Sequence, residues 1–362
     1  RYFQIMKTTV AVFFGGRSTE HEISVISANQ AMHAINRERF DVVPVYISKQ
    51  GHWYTGDALF EVKNYRDTKA LLANCEEVYM RPIYGDTNLY KVRKPMFGSD
   101  VLRQIDVVIP VLHGANGEDG TFEGFLEQCG VPFAGCNTLA SANGMDKITM
   151  KQILAANGIP VVGYEWFTDQ QWHSDRDAII ERVEKNLGYP VIVKPANLGS
   201  SVGISAAHSR QELVDALNEA QRYSTRLIVE HMIKNLKEIN CSVLGVADEY
   251  QPSVLEEPIK SGDLLSYEEK YLGGGSKGGV KGAGAKGSRR GMASSQKKFP
   301  ADLPDEMTKQ IQHLAGETFR VLSCHGVSRV DVMVDDDTKQ IYVNEINTIP
   351  GSLSFYLWEG SG

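Results

Sequence analysis

The chain has 362 residues, a formal net charge of −7, and 42% hydrophobic and 23% charged residues. That length carries two or three domains with a sizeable core, and the acidic balance disfavours nucleic acid as a partner. No apolar run reaches the length of a membrane span, no basic-then-apolar leader opens the chain, and five widely spaced cysteines without Cys-x-x-Cys fit a reducing cytoplasm and no zinc site.

Arg1-Tyr2-Phe3-Gln4 reads as the remnant of a cleavable tag, with the natural start at Met6. Thr8 to Phe14 is a short apolar strand that ends at Gly15-Gly16. Ser18 is placed to cap the next helix, Glu20 and Glu22 fall in its first turn, and Ile23, Ile26, Met32 and Ile35 give it an apolar face. Strands at Asp41 to Ile47 and Ile105 to Leu112 extend a strand–helix alternation that predicts a parallel sheet with helices on both faces. Residues 56 to 104 read as a peripheral hairpin and helix insertion. Gly15-Gly16-Arg17-Ser18-Thr19-Glu20 lacks the spacing of a dinucleotide fingerprint, which disfavours a nicotinamide dehydrogenase. Glu20 has the wrong charge for a phosphate and suits a substrate ammonium group. His113 ends a strand of an α/β unit, the edge where such sheets bind ligands; a histidine that only caps its loop is the other reading.

A second unit begins near Cys136 with a helix from Asp146 to Asn157, stopped by Gly158 and Pro160. Pro190 to Pro195 is a buried strand, followed by the glycine–serine turn Asn197 to Gly203, a strand, the helix Gln211 to Tyr223 and the strand Leu227 to Glu230. The pattern is antiparallel α+β. Glycines let backbone N–H groups approach phosphate oxygens, Ser200 and Ser201 add hydroxyl donors, and Lys194 stands at the end of the preceding strand as a point charge. The strand into Glu230-His231-Met232-Ile233 can offer backbone groups to an adenine edge, with Glu238 five residues beyond Ile233 for ribose hydroxyls.

In the third unit, Gly273 to Gly291 holds nine glycines with Lys277, Lys281, Lys286, Arg289 and Arg290, and reads as a mobile loop. Two β-branched strands then flank the polar turn Asp335 to Gln340. Alternation puts Glu345 and Asn347 on one face, and a hairpin can set Asp331 opposite or diagonal to them. Two carboxylates and an amide oxygen suit Mg²⁺. Arg329, two residues before Asp331, adds a fixed guanidinium to the same face. Solvated acids near strand ends are the bland alternative.

Together these motifs resemble the D-alanine–D-alanine ligases of the ATP-grasp superfamily. The anchors occur in the family's order: Phe14 to Ser24, Leu112-His113-Gly114 through Gly120, Met145-Asp146-Lys147, Lys194-Pro195 with Gly199 to Gly203, Tyr267 to Tyr271, Ser328 to Asp331, and Asn344 to Gly351. The resemblance implies an N-terminal open parallel-sheet domain (6–135), a central ATP-grasp subdomain (136–229) and a C-terminal one (230–362) with a mobile loop at 264–299. It implies ligation of two D-alanines through an acyl phosphate, for peptidoglycan precursor synthesis.

The same resemblance assigns roles. Lys147, Lys194 and, from the mobile loop, Lys270 would bind ATP phosphates. Glu230, His231 and Ile233 would bind adenine, and Glu238 ribose. Asp331, Glu345 and Asn347 would hold two Mg²⁺, or Mn²⁺ in their place. Glu20 would take the ammonium of the first D-alanine, with His113 near its carboxylate. Ser200 and Tyr271 would link with Glu20 to close the site. Arg329 and the Gly351 N–H would stabilise the tetrahedral intermediate. A cytoplasmic homodimer is expected. The chain departs from the family in its glycine- and lysine-rich loop, in Tyr356 where a serine precedes the substrate-facing leucine (here Leu357), and in stopping before the usual C-terminal helix. Tyr356 opens the alternative of D-serine or D-lactate as second substrate, as in vancomycin-resistance ligases. The loop opens that of an inactive ATP-binding relative with a partner.

Overall fold

The apolar run at the start forms β1 (Thr8–Gly15), and the chain then continues through α1 (His21–Ala34), β2 (Phe40–Ile47) and β3 (Trp53–Thr55). Next come α2 (Thr68–Leu72), β4 (Glu76–Met80), β5 (Asn88–Lys91), β6 (Val101–Gln104), β7 (Val107–Val111), α3 (Thr121–Cys129) and α4 (Thr138–Met145). The structure is a computed structural model that describes residues 7–199, 202–258 and 297–362. Ser200, Ser201, Lys270, Tyr271 and the insert at 273–291 lie outside the described residues. Two units divide the chain: residues 1–142 with 325–327 and 348–355, and residues 143–324 with 328–347 and 356–362.

The first unit is built on a seven-stranded sheet of order β6-β5-β4-β3-β2-β1-β7. Alternation in β1 makes two cores. Ala11 and Phe13 pack with Phe122 and Leu126 of α3, whereas Val10, Val12 and Phe14 pack with Val25, Ala28 and Met32 of α1. Helices thus cover both faces, as expected. The sheet itself is mixed around a parallel core. Among the named strands, β1–β2 and β1–β7 pair in parallel and β2 through β6 are joined antiparallel. The segment read as a peripheral insertion adds three strands, β4 to β6, and β3 just before it brings the extension to four. Those strands are three to five residues long and too short to show a period.

Helix α1 also differs from expectation. Its N-cap is Glu20, and Ser18 Oγ instead accepts the Glu20 N–H (3.1 Å) and donates to His113 O (2.7 Å). The buried side carries Ser24, Ser27 and Asn29 among Val25, Ala28 and Met32, while Ile23 and Ile26 are only half-buried. Polar residues can lie inward here because Ser24 Oγ accepts the Gly15 N–H at 2.7 Å and donates to Val111 O. Gly15 has φ +91°, and a Cβ there would sit 2.3 Å from Ile47 O, so the turn accepts only glycine.

The second unit starts with α5 (Lys147–Ala156), capped by Asp146, which accepts the Thr149 N–H at 2.8 Å. It continues through β8 (Tyr164–Thr168), α6 (Asp169–Ser174), α7 (Arg176–Asn186), β9 (Val191–Pro195), β10 (Ser205–Ala207), α8 (Arg210–Ala220) and β11 (Arg226–His231). Then follow β12 (Leu236–Val246), β13 (Glu249–Pro258), β14 (Lys297–Lys298), α9 (Asp305–Val321), β15 (His325–Asp335), β16 (Ile341–Asn347) and α10 (Phe355–Glu359). The strands make two sheets, β10-β9-β11-β8 and β14-β13-β12-β15-β16. Trp172, Ile180, Leu213 and Leu217 seal one face of the first of these against Val193, Leu227 and Val229. The change from an α/β unit to an antiparallel α+β unit is the one the sequence pattern predicts. No helix among the described residues is long and apolar enough to cross a membrane.

Candidate active site

In the first unit, Glu20 is buried at the head of α1. A Cβ on Gly114 would lie 2.7 Å from its Oε2, so the glycine admits this carboxylate. His113 has both ring nitrogens engaged: Nδ1 lies 2.8 Å from Ile349 O and Nε2 2.9 Å from Ser27 Oγ. A carbonyl only accepts, so Nδ1 carries the proton and Nε2 accepts from the Ser27 hydroxyl. Ser27 in turn accepts the Ser352 N–H at 2.9 Å. Glu118 holds the same turn: Oε2 accepts the Gly114 N–H (2.8 Å) and Oε1 the Ile349 N–H (3.2 Å). Gly351 opens a tight turn in which Ser352, Leu353 and Ser354 all adopt left-handed backbone, φ 54°, 50° and 53°. Three successive non-glycine residues in that region store strain, which persists only where surroundings over-determine it. Here the Ser27 bond and the packing of Leu353 on the α1 core provide that restraint.

In the second unit, β15 and β16 pair Asp331 directly opposite Glu345 and Arg329 opposite Asn347, with a bulge after Asp331. All four therefore share one face. Arg329 grips Asp331 with two bonds, Nε to Oδ1 at 2.6 Å and a terminal nitrogen to Oδ2 at 2.7 Å. Asn347 Nδ2 donates to Asp331 Oδ2 at 3.1 Å. Burial disfavours the Arg329 charge, but Asp331 outweighs it and holds the guanidinium protonated.

One face of α5 carries Lys147 and Lys151, a turn apart. Lys147 donates to Leu198 O (2.8 Å) and lies 3.6 Å from Glu345 Oε2. Lys194 donates to Glu230 Oε2 (2.7 Å) and, at 3.5 Å, to Asn344 Oδ1. Lys151, unnoticed in the sequence, is wholly buried 3.3 Å from Glu230 Oε1. Burial pushes the Glu230 carboxyl up, but Lys151 and Lys194 together bring it down to about 2. Lys194 is raised despite burial, chiefly by Glu230, with Glu345 and Glu238 adding to it. Asp146 of the Met145-Asp146-Lys147 motif receives Arg226 through two bonds, 2.8 and 3.2 Å.

The predicted adenine strand has His231 exposed and Ile233 buried, and the Glu230 side chain turns into the lysine cluster. Leu357 is fully buried in α10. The Tyr356 hydroxyl donates to Glu256 Oε1 (3.0 Å), which also accepts Asn240 Nδ2 (2.9 Å). Burial raises the phenol well above its usual range even though Arg329 opposes it. Ser27, Glu118, Lys151, Asn344 and Glu256 escaped the sequence reading as site residues. The spacing of Lys147 and Lys151 on a capped helix was the one signal that could have found Lys151.

A family model described as the D-ala D-ala ligase N-terminus matches residues 9–136, and one described as the D-ala D-ala ligase C-terminus matches 153–360. The chain belongs to the D-alanine–D-alanine ligase family. Relatives agree along nearly its whole length. The D-alanine–D-alanine ligase of Caldicellulosiruptor bescii is 41% identical over 360 residues, 98% of this chain and 91% of the relative. That of Thermosipho melanesiensis is 38% identical over 354 residues, 98% and 89%. Among solved structures, the VanG D-Ala:D-Ser ligase of Enterococcus faecalis superposes with a TM-score of 0.80 at 33% identity, covering 99% of this chain and 96% of that one. The D-alanine–D-alanine ligase of Coxiella burnetii gives 0.77 at 28%, covering 98% and 90%. The fold of this ligase family is therefore ATP-grasp, preceded by an α/β domain.

Proposed function

We propose that the chain joins two D-alanines into D-alanyl-D-alanine with conversion of ATP to ADP and phosphate, a step toward peptidoglycan precursors. The observation that carries this reading is the β15–β16 face, where Asp331 stands opposite Glu345 beside Arg329 and Asn347. A module that only bound a partner would need no paired carboxylates there. These oxygen donors, without histidine or cysteine, fit a hard divalent ion. Asp331, Glu345 and Asn347 would hold two Mg²⁺, which when bound neutralise charge on the phosphate oxygens.

The chain's own groups do the rest. Lys147, Lys194 and Lys270 bind and orient the phosphates, with Ser201 adding a hydroxyl. Backbone groups from Glu230 to Ile233 take adenine and Glu238 takes ribose. Glu20 holds the ammonium of the first D-alanine; His113 orders the loop near its carboxylate. That carboxylate attacks the γ-phosphoryl group, and ADP leaves an acyl phosphate. The amine of the second D-alanine attacks the acyl carbon, and phosphate leaves. Arg329 and the Gly351 N–H oppose charge on the tetrahedral oxygen. Ser200 and Tyr271 help Glu20 to exclude water, and Tyr356 and Leu357 line the second-substrate side. Residues 6–135 would be the substrate domain, with 136–229 and 230–362 the two ATP-grasp subdomains. A cytoplasmic homodimer completes the proposal.

D-serine as second substrate is the other reading, favoured by the likeness to the VanG D-Ala:D-Ser ligase and by the phenol at 356. Phosphate release from Mg-ATP with D-alanine, L-alanine, D-serine and D-lactate, alone and paired, separates them when products are weighed by mass spectrometry. D-Alanyl-D-alanine as main product supports the first reading. A mixed D-alanyl-D-serine product replaces it with the second, and no dipeptide from any pair sinks both.

A further inference from the structure

Within the second unit, Lys151 is a buried cation that none of the roles above uses. Its ammonium has no exposure, and that is costly unless the charge is needed. Its bonding does not explain it. The hydrogen bond to Asn344 O is long, at 3.4 Å. The ion pair to Glu230 Oε1, at 3.3 Å, is longer than a strong charge-assisted hydrogen bond. Burial lowers the affinity of Lys151 for its proton, and Glu230 opposes that effect. A neutral leucine or methionine at this buried position of α5 would fill a similar volume without a charge.

Charge counting supplies the reason. Two ammoniums, Lys151 and Lys194, share one carboxylate, Glu230. These three groups therefore carry one surplus positive charge, with Glu345 and Glu238 acting on Lys194 from farther off and Lys147 set against Glu345. Exposure rises from Lys151 (0%) and Glu230 (2%) to Lys194 (8%), so Lys194 is where that surplus meets an incoming anion. Without Lys151, Glu230 would turn both oxygens to Lys194, and a neutral pair would face the phosphates. In a low-dielectric cluster the difference between a neutral pair and a net cation is large.

We propose that Lys151 is a positioning residue for ATP: it occupies one oxygen of Glu230 and so leaves the Lys194 ammonium charged and available to the phosphates. The proposal rests on the reading of Lys194 as a phosphate ligand, and the test separates the two. The variants are Lys151→Met, Lys194→Met and the double variant Lys151→Met/Glu230→Gln, each in the full chain. ATP KM, D-alanine KM and ADP binding by calorimetry are read for each.

In Lys151→Met the ATP KM rises on the order of tenfold, ADP binding weakens in step, and the D-alanine KM stays within about twofold. The double variant restores the net charge and recovers most of the ATP KM. A packing role alone moves neither ratio selectively and gives a double variant no better than the single. Either that outcome or an unchanged ATP KM in Lys151→Met overturns the proposal. Should the single variant not fold, the double decides alone, because a tenfold rise in its ATP KM contradicts the charge argument. An unchanged ATP KM in Lys194→Met defeats the underlying reading, and the proposal with it.

Discussion

Glu123 in the first unit and Glu230 in the second are equally buried, at 1% and 2% exposure, yet they titrate at opposite ends of the scale. Burial is the chief influence on Glu123, with neighbouring Asp119 and Glu127 adding to it; its Oε2 meets no hydrogen-bond partner among the described residues, and its carboxyl is pushed up to about 8. Glu230 has two lysines and is drawn down to about 2. The contrast extends to the surrounding units. The first unit holds its candidate residues by bonds that end on backbone: the uncharged relay from Ser352 to Ser27 to His113 to Ile349, and the Glu118 carboxylate on two N–H groups. The second holds them by ions on ions. Neutral relays lose about 1 kcal/mol per missing bond, whereas a buried ion stripped of its partner loses several. Mutation should therefore bite hardest in the second unit.

The largest effect is expected on the β15–β16 face. Asp331→Asn and Glu345→Gln should each cut ATP turnover on the order of 10³-fold, ~4 kcal/mol. The two should differ in stability. Asp331 is the bidentate partner of buried Arg329, so Asp331→Asn leaves a poorly compensated cation and lowers Tm by several degrees; Glu345→Gln lowers it less, because Lys147 lies 3.6 Å from Glu345 and keeps its bond to Leu198 O. Turnover assays with calorimetric melts check both, and wild-type turnover in the pair of variants would remove the metal assignment.

Next comes a cost of shape rather than charge. Gly15→Ala places a Cβ 2.3 Å from Ile47 O at φ +91° and should destabilise the first unit by roughly 4 kcal/mol in urea unfolding. Gly85→Ala is the control. Its φ is +82° with nothing within 4 Å of the new Cβ, so only the left-handed backbone term remains, roughly 1 kcal/mol. Equal losses at the two sites would contradict the close-approach argument.

Glu123→Gln should stabilise. The folded carboxyl sits near 8 and an unfolded one near 4.5, so the folded state keeps a proton that the unfolded state releases in between. Wild-type stability therefore falls as pH rises from about 4.5 to about 8. Glutamine cannot titrate, so its advantage should be small at pH 5 and reach roughly 2–3 kcal/mol at pH 8. A pH-independent difference between the two melts would show that Glu123 has a partner after all.

The sequence could show the second unit's metal face because strand alternation and a short turn constrain it: Asp331, Glu345, Arg329 and Asn347 had to share a side. Chain-order motifs also brought out Lys147 and Lys194. Lys151 stayed hidden because its partner Glu230 is 79 residues away and pairs through a tertiary fold. The first unit was less legible for the same reason. Its sheet gains four strands too short to show a period, and Ser27 and Glu118 act on residues more than two hundred positions downstream. Ser18 looked like the cap of α1, yet it serves the His113 carbonyl and the Glu20 N–H instead.

The smallest predicted effect tests the relay itself. Ser27 donates to His113 Nε2 and accepts the Ser352 N–H, so it joins the histidine turn to the strained turn after Gly351. Ser27→Ala removes both bonds while leaving an alanine on the buried side of a helix where alanine is favourable. The net loss should be about 1 kcal/mol in stability. If His113 only caps its loop, the D-alanine KM follows that small stability loss and no more. If His113 also orders the ground around the first D-alanine carboxylate, the D-alanine KM should rise several-fold at unchanged ATP KM, because no lysine of the second unit is touched. Lys151→Met should show the reverse pattern, acting on ATP rather than on D-alanine. A Ser27→Ala variant that weakens ATP and D-alanine alike would mean that the first unit's relay is not specific to the amino-acid side, and the division of labour between neutral and ionic regions would fail with it.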